Sequence, residues 1–270
     1  MMNFKILGAF AFLTASVTAV AADPPIVEAR IKFISMTRPL LGIGVSNGKQ
    51  TTGIVIPTDM FSDEFSYRGP SRLELIEAQA KEVTTKTNPV AAEEKPGDER
   101  PARGVKGRTR TLQYFPSGKP PLAWVDLPTN AGRLNLILLV TPGKGNGITM
   151  LNDPPGSFPP GSNRYFNLAP FPVTVKTPSG AYLISPNTEK VLRPGAPNND
   201  YYDLQLTTKI DGEESLAFSS RVFHMEKTRK LYLVLPVAGA AGRVLIKDIE
   251  DRPAPTKPQG PTPVGPKGGK

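Results

Sequence analysis

Apolar and polar residues alternate with a period of two along much of this chain, and the alternation breaks wherever Gly, Pro, Asn or Asp cluster. That period is the mark of half-buried strands rather than helices. Ala29–Met36 is one such run, closed by the turn Thr37-Arg38-Pro39. Leu40–Val45 and Thr51–Ile56 follow, separated by Ser46-Asn47-Gly48-Lys49, and Asn-Gly between two such runs predicts a β-hairpin. Ser71–Glu77 sets Leu73 and Leu75 on one face, so it is read as a strand. Ala78–Val83 is built from good helix formers and is expected to continue as a turn or short helix.

A second pattern lies above the first. Leu122–Pro142 (LAWVDLPTNAGRLNLILLVTP) is repeated without a gap by Leu216–Pro236 (LAFSSRVFHMEKTRKLYLVLP). Each copy has two apolar runs around a polar stretch and reads as a hairpin ended by a proline. The alignment lays Trp124 on Phe218, which marks Trp124 as a core position. Other anchors recur in the same order: Phe33 on Phe166 with Pro39 on Pro172, Leu73 and Leu75 on Leu204 and Leu206, and Gly147–Asp153 on Gly242–Asp248. Ser179-Gly180 takes the place of Asn47-Gly48, and Asp211-Gly212 provides another hairpin turn. The chain is therefore expected to be all-β: two tandem, internally duplicated immunoglobulin-like β-sandwich domains, at 23–155 and 156–253. The Cys–Trp–Cys mark of true immunoglobulin domains is missing, and a small barrel is the alternative fold.

Between about Gln79 and Lys119 apolar residues thin out, and the tract reads as a low-complexity charged insertion, disordered over most of its length, that the second copy lacks. Glu93, Glu94, Asp98 and Glu99 crowd its first part. Arg100, Arg103, Lys106, Arg108 and Arg110 fill the second, with order resuming as a strand at Thr109–Phe115. A long insertion in a loop adds only about 0.6 kcal/mol of closure free energy per doubling of its length. From 254 to 270 the chain is a Pro/Gly-rich basic tail of polyproline type.

Met1–Lys5, the apolar stretch Ile6–Val20 and the exit Ala21-Ala22 read as a cleaved signal peptide over 1–22 rather than a membrane anchor. The expected product is exported, periplasmic or extracellular, with no transmembrane segment after cleavage. The chain has no cysteine, so its stability must come from packed cores rather than disulfides. Thirty prolines and 25 glycines favour short elements joined by turns. Lys and Arg outnumber Asp and Glu by 33 to 24, which favours anionic partners as well as solubility.

The chemistry is bounded mostly by exclusion. His224 is the one histidine, so multi-His metal sites are impossible, and thiolate chemistry goes with the cysteines. A lone His beside a strand turn is expected at the surface. No phosphate loop, dinucleotide turn or nucleophile elbow occurs. Acidic residues cluster at Asp59, Asp63 and Glu64, at Asp200 and Asp203, and at Asp211, Glu213 and Glu214, each where polar turns are expected. No cofactor and no metal are expected. Asn198-Asn199-Asp200 and Asn152-Asp153 could offer calcium turn carbonyls and carboxylates, but neither has the regular spacing of a Ca²⁺ loop, and Asn and Asp are common in turns for backbone reasons. The candidate ligand-binding residues are the basic tract Arg100, Arg103, Lys106, Arg108 and Arg110, together with Tyr201 and Tyr202, of which at most one faces the core.

The expected function is that of an exported, non-catalytic binding or structural protein of the bacterial cell envelope, contacting an anionic polymer or a protein partner through the basic insertion. Nucleic acid is not expected, because aromatics do not interleave with the cations. The oligomeric state is left open. Two alternatives are an enzyme acting on an envelope polysaccharide through carboxylates brought together between the domains, and an assembly chaperone working by strand augmentation at an exposed edge.

Overall fold

The computed structural model describes residues 25–86, 108–130, 132–143 and 145–251. None of these is helical, and no helix among them is long and apolar enough to cross a membrane. In the first half the strands are β1 (Ile26–Ser35), β2 (Leu40–Ser46), β3 (Thr51–Ile56), β4 (Phe65–Pro70), β5 (Arg72–Lys86), β6 (Arg108–Pro116), β7 (Ala123–Asp126), β8 (Leu134–Val140) and β9 (Ile148–Asn152). The second half holds β10 (Asn163–Asn167), β11 (Val173–Thr177), β12 (Gly180–Ile184), β13 (Glu189–Leu192), β14 (Asp200–Ile210), β15 (Glu213–His224), β16 (Arg229–Pro236) and β17 (Val244–Asp251).

They form four sheets. Two have the orders β4-β1-β8-β9 and β13-β10-β16-β17, and both run antiparallel, parallel, antiparallel across their strands. A third is β12-β11-β14-β15. The fourth is β2-β3-β6-β5-β7, in which β2 also pairs with β5, so that β2, β3, β6 and β5 close on themselves. The local hairpins stand where their turn residues put them. Asn47 Oδ1 accepts the backbone N–H groups of Lys49 and Gln50 between β2 and β3. Asp211 and Gly212 both take positive φ, 53° and 88°, and close β14 on β15. That pair of left-handed residues matches the right-handed twist of a two-residue hairpin.

Three cores separate the four sheets. Ile31, Phe33, Val45, Leu75 and Leu138 belong to the core of the first half, and Tyr165, Val175, Leu206 and Val234 to that of the second. A third core joins the halves, with Ile34, Ile137, Leu139 and Leu151 meeting Phe166, Leu231, Leu233 and Ile249. The two inner sheets are therefore covered on both faces. That is why β8 and β16 each hold a continuous apolar run, LILLV and LYLVL, rather than an alternating one.

The repeated segment is not a hairpin. β7 pairs with β5 and β8 with β1 and β9, so the chain crosses from an outer to an inner sheet between them; β15 and β16 do the same. Two apolar runs around a polar stretch fit either arrangement, and only the choice of partner strand separates them. One equivalence also slips. Ser35 pairs with Val140 and Asn167 with Val234, so laying Val140 on Val234 puts Phe33 over Tyr165 and Ile34 over Phe166. A slip of one residue moves a side chain to the other face of its sheet. Phe33 accordingly belongs to a core within one half, and Phe166 to the core between the halves.

The charged tract is shorter than its composition suggests. β5 runs unbroken to Lys86 and pairs with β6 from Ala78↔Pro116 to Lys86↔Arg108, where a turn or short helix and then disorder were expected. Ladder pairing overrides the helix propensity of Ala78–Val83. Trp124 is also not a core residue. Its neighbours Ala123 and Val125 face the core, while Trp124 is half-buried on the other side with the Arg72 guanidinium 3.9 Å from its ring centroid. Phe218 does pack against the core of its half, because a register shift between Leu206 and Thr207 turns β15 by one residue.

Candidate binding surfaces

The arm formed by β5 and β6 is seated on glycine. Gly44 and Gly53 lie opposite one another across β2 and β3, and a Cβ on Gly53 would collide with the ring of Tyr114 from β6. The missing side chains let the aromatic lie on the sheet. Thr51↔Tyr114 is the sole point at which β3 and β6 pair among the described residues, and beyond it β6 continues with β5 alone. Phe115 is partly exposed with the Lys81 ammonium 5.5 Å from its ring centroid, and Leu112 is exposed.

Of the basic tract, Arg108 and Arg110 lie on this ladder at the register positions opposite Lys86 and Thr84. Arg100, Arg103 and Lys106 lie outside the described residues.

The tyrosine pair divides. Tyr202 is 5% exposed in the core of the second half, its hydroxyl accepting a 2.8 Å hydrogen bond from Asn163 Nδ2. Burial pushes its phenol upward, and Tyr202 leaves the set of candidate ligand contacts. Tyr201 is 54% exposed. Its ring centroid lies 5.0 Å from that of Phe223, and the Arg221 guanidinium is 5.3 Å from it. Phe223 and Arg221 were not legible as partners of Tyr201, since the register shift between Leu206 and Thr207 displaces them from the pairing that the Asp211-Gly212 turn alone would set.

His224 is buried rather than at the surface, and burial lowers its pKa, with nearby Glu226 opposing. The acidic clusters hold turns and pair with cations. Asp200 Oδ1 accepts the Tyr201 N–H at 2.7 Å, and Asn198 Oδ1 accepts the Glu226 N–H. Glu214 lies 2.6 Å from Lys176 Nζ, and hydrogen bonds from Lys176 and Thr207 lower its pKa. Carboxylates do meet between the halves, but with cations. Asp153 lies 3.2 Å from Arg229 and 3.5 Å from the wholly buried Arg164, while Asp251 is held by Arg229 at 2.6 Å and Lys32 at 3.0 Å. An acid/base pair needs one carboxyl able to hold a proton beside open space for substrate. Two carboxylates neutralised by three cations make a joint instead. Among the described residues, no group of three or more His, Cys, Asp or Glu is placed to hold a metal ion.

Set against known proteins, the sequence matches no family model, and no curated protein matches it significantly.

Proposed function

We propose that the chain is an exported, non-catalytic binding protein of the bacterial cell envelope, which contacts an anionic polymer through the basic tract carried by the β5–β6 arm. In this reading the body is two immunoglobulin-like sandwiches copied in tandem. The matching pairing order of β4-β1-β8-β9 and β13-β10-β16-β17, and the shared crossing from outer to inner sheet, support the copying.

The observation that carries the functional reading is the arm itself. In the second half the hairpin β14–β15 closes at Asp211-Gly212. In the first half β5 and β6 continue in register to Lys86↔Arg108, with residues 87–107 between them. A run of cations attracts a polyanion, and that attraction falls as salt rises.

Co-sedimentation of the mature protein with isolated envelope material across a salt series, beside a variant lacking 87–107, tests this. The expected outcome is binding that weakens with salt and is lost in the variant. Binding that survives both salt and deletion would overturn the assignment to the arm.

A further inference from the structure

Tyr114 lies face-down on the outer surface of β3. A Cβ on Gly53 would fall almost equally close to Cζ, Cε1 and Cε2 of the tyrosine, which places it above the face of the ring and not beside its edge. Gly53 shares its side of β3 with Thr51 and the exposed Val55, while Ile54 and Ile56 turn to the core. The glycine therefore takes one face of the ring against the sheet from outside. The ring is only half-buried, and it borders a groove of about 620 Å³, within the size range of small-ligand sites.

The rest of the groove is polar without being acidic. Gln50, Thr52 and Gln113 line it and are exposed, and their side chains make no hydrogen bond among the described residues. Lys49 is the one charged residue of the lining, and its ammonium makes no ion pair among the described residues. Asn47 holds the backbone N–H groups of Lys49 and Gln50, so both side chains stand on a fixed turn. An aromatic face is negative and attracts polarised C–H groups. A sugar ring offers such C–H groups on one face and hydroxyls around its rim, which amides meet as donors and acceptors alike. Polyphosphate has no C–H face. Nucleic acid has bases that stack, but it brings a phosphate with every nucleotide, and the groove has a single cation. One ammonium suits one carboxylate on the sugar.

We propose that this groove binds one sugar unit of an acidic polysaccharide, a pyranose that carries a carboxylate. The C–H face of the sugar stacks on Tyr114, its hydroxyls exchange hydrogen bonds with Gln50 and Gln113, and its carboxylate meets Lys49. The proposal rests on the reading above for an anionic polymer as the ligand, and it adds the chemistry of the repeating unit. The groove lies at the root of the arm, where β6 leaves β3 and goes on with β5 alone, which puts it beside a polymer that the arm holds.

The probe is a galacturonic acid tetrasaccharide titrated into the full mature chain at low salt, beside its carboxyl-reduced galactose counterpart and oligothymidylate. Amide resonance shifts are expected at Thr51–Gly53 and Gln113–Phe115, and sugar C–H resonances should move upfield under the Tyr114 ring current. Tyr114→Phe keeps both effects, since the ring face remains. Tyr114→Leu removes the upfield shift and weakens binding about five- to tenfold. Lys49→Gln, away from the Gly53 seat, weakens the tetrasaccharide about two- to fivefold and leaves the reduced form unchanged. No shifts from the tetrasaccharide, equal binding by Tyr114→Leu, or equal loss of both sugars in Lys49→Gln would each overturn the proposal. Tighter binding of oligothymidylate would overturn it in favour of nucleic acid. The variant lacking 87–107 should bind the tetrasaccharide with the same shifts. Envelope binding lost in that variant, with no shifts from the tetrasaccharide, would leave the arm standing and this site fallen; shifts without envelope binding would do the reverse.

Discussion

His224 connects burial to pH. Its pKa in the folded chain is depressed by burial, so below the ordinary value of 6.5 the unfolded chain takes up the proton first. Stability is therefore undiminished above pH of about 6.5 and declines as pH falls from there towards the folded value. Glu189 acts with the opposite sign at lower pH, since burial raises its carboxyl above the ordinary range. A difference curve isolates the histidine: the melting temperature of the wild type should fall relative to that of His224→Gln as pH drops from 7.5 to 5.5. Parallel curves would sink the idea. The type of this residue was plain in the sequence and its environment was not. Nothing near Phe223-His224-Met225 signals that β14 and the loop at Asn199 cover it. Tyr201 and Tyr202 were easier, because strand alternation sends neighbouring rings to opposite faces once the segment is known to be a strand.

Among the elements, those fixed by local chemistry were legible and those fixed by distant partners were not. Asn47-Gly48 and Asp211-Gly212 carry their own turn geometry, so β2–β3 and β14–β15 could be drawn from sequence. The continuation of β5 past Glu77 depends on β6, beyond an interval of more than twenty residues, and its Ala, Lys and Glu content argued for helix instead. The glycines were the local clue to that arm. Gly44 and Gly53 lie opposite each other with no side chain to fill the surface, and Tyr114 does so. Gly53→Ala should force the Tyr114 ring off the sheet and destabilise the chain by about 1–3 kcal/mol, the usual cost of overpacking. Thermal melts measure that cost. Faster proteolysis between Lys81 and Tyr114 in the same variant would show that the seat holds the arm; an unchanged cleavage rate would show that the β5–β6 ladder needs no seat.

At the scale of the molecule, the joint between the halves decides how the protein behaves as a body. A linker between independent domains leaves them free to move, whereas a wide apolar contact ties them together. Here Ile137 and Leu139 of one inner sheet meet Leu231 and Leu233 of the other, all essentially fully buried. The chain Lys32–Asp251–Arg229–Asp153–Arg164 borders that contact and carries charge across it. Buried ion pairs of this kind add little net stability, but breaking one leaves a charge without compensation. Arg164 is the vulnerable member: its side chain is 2% accessible, and without Asp153 its nearest carboxylate is Glu189 at 3.7 Å. Asp153→Asn should therefore cost about 3 kcal/mol, at the lower end of the range for a severed buried pair because Glu189 and the Asn152 carbonyl remain. Because the same contact holds both halves, the wild type should unfold in one calorimetric transition whose van't Hoff and calorimetric enthalpies agree. Two resolved transitions would mean that the contact does not couple the halves, and the arm would then move independently of the second half. One transition would make the molecule a single rigid frame that holds the arm at a fixed orientation to the second half, so a ligand held by the arm would meet the same face of the body each time.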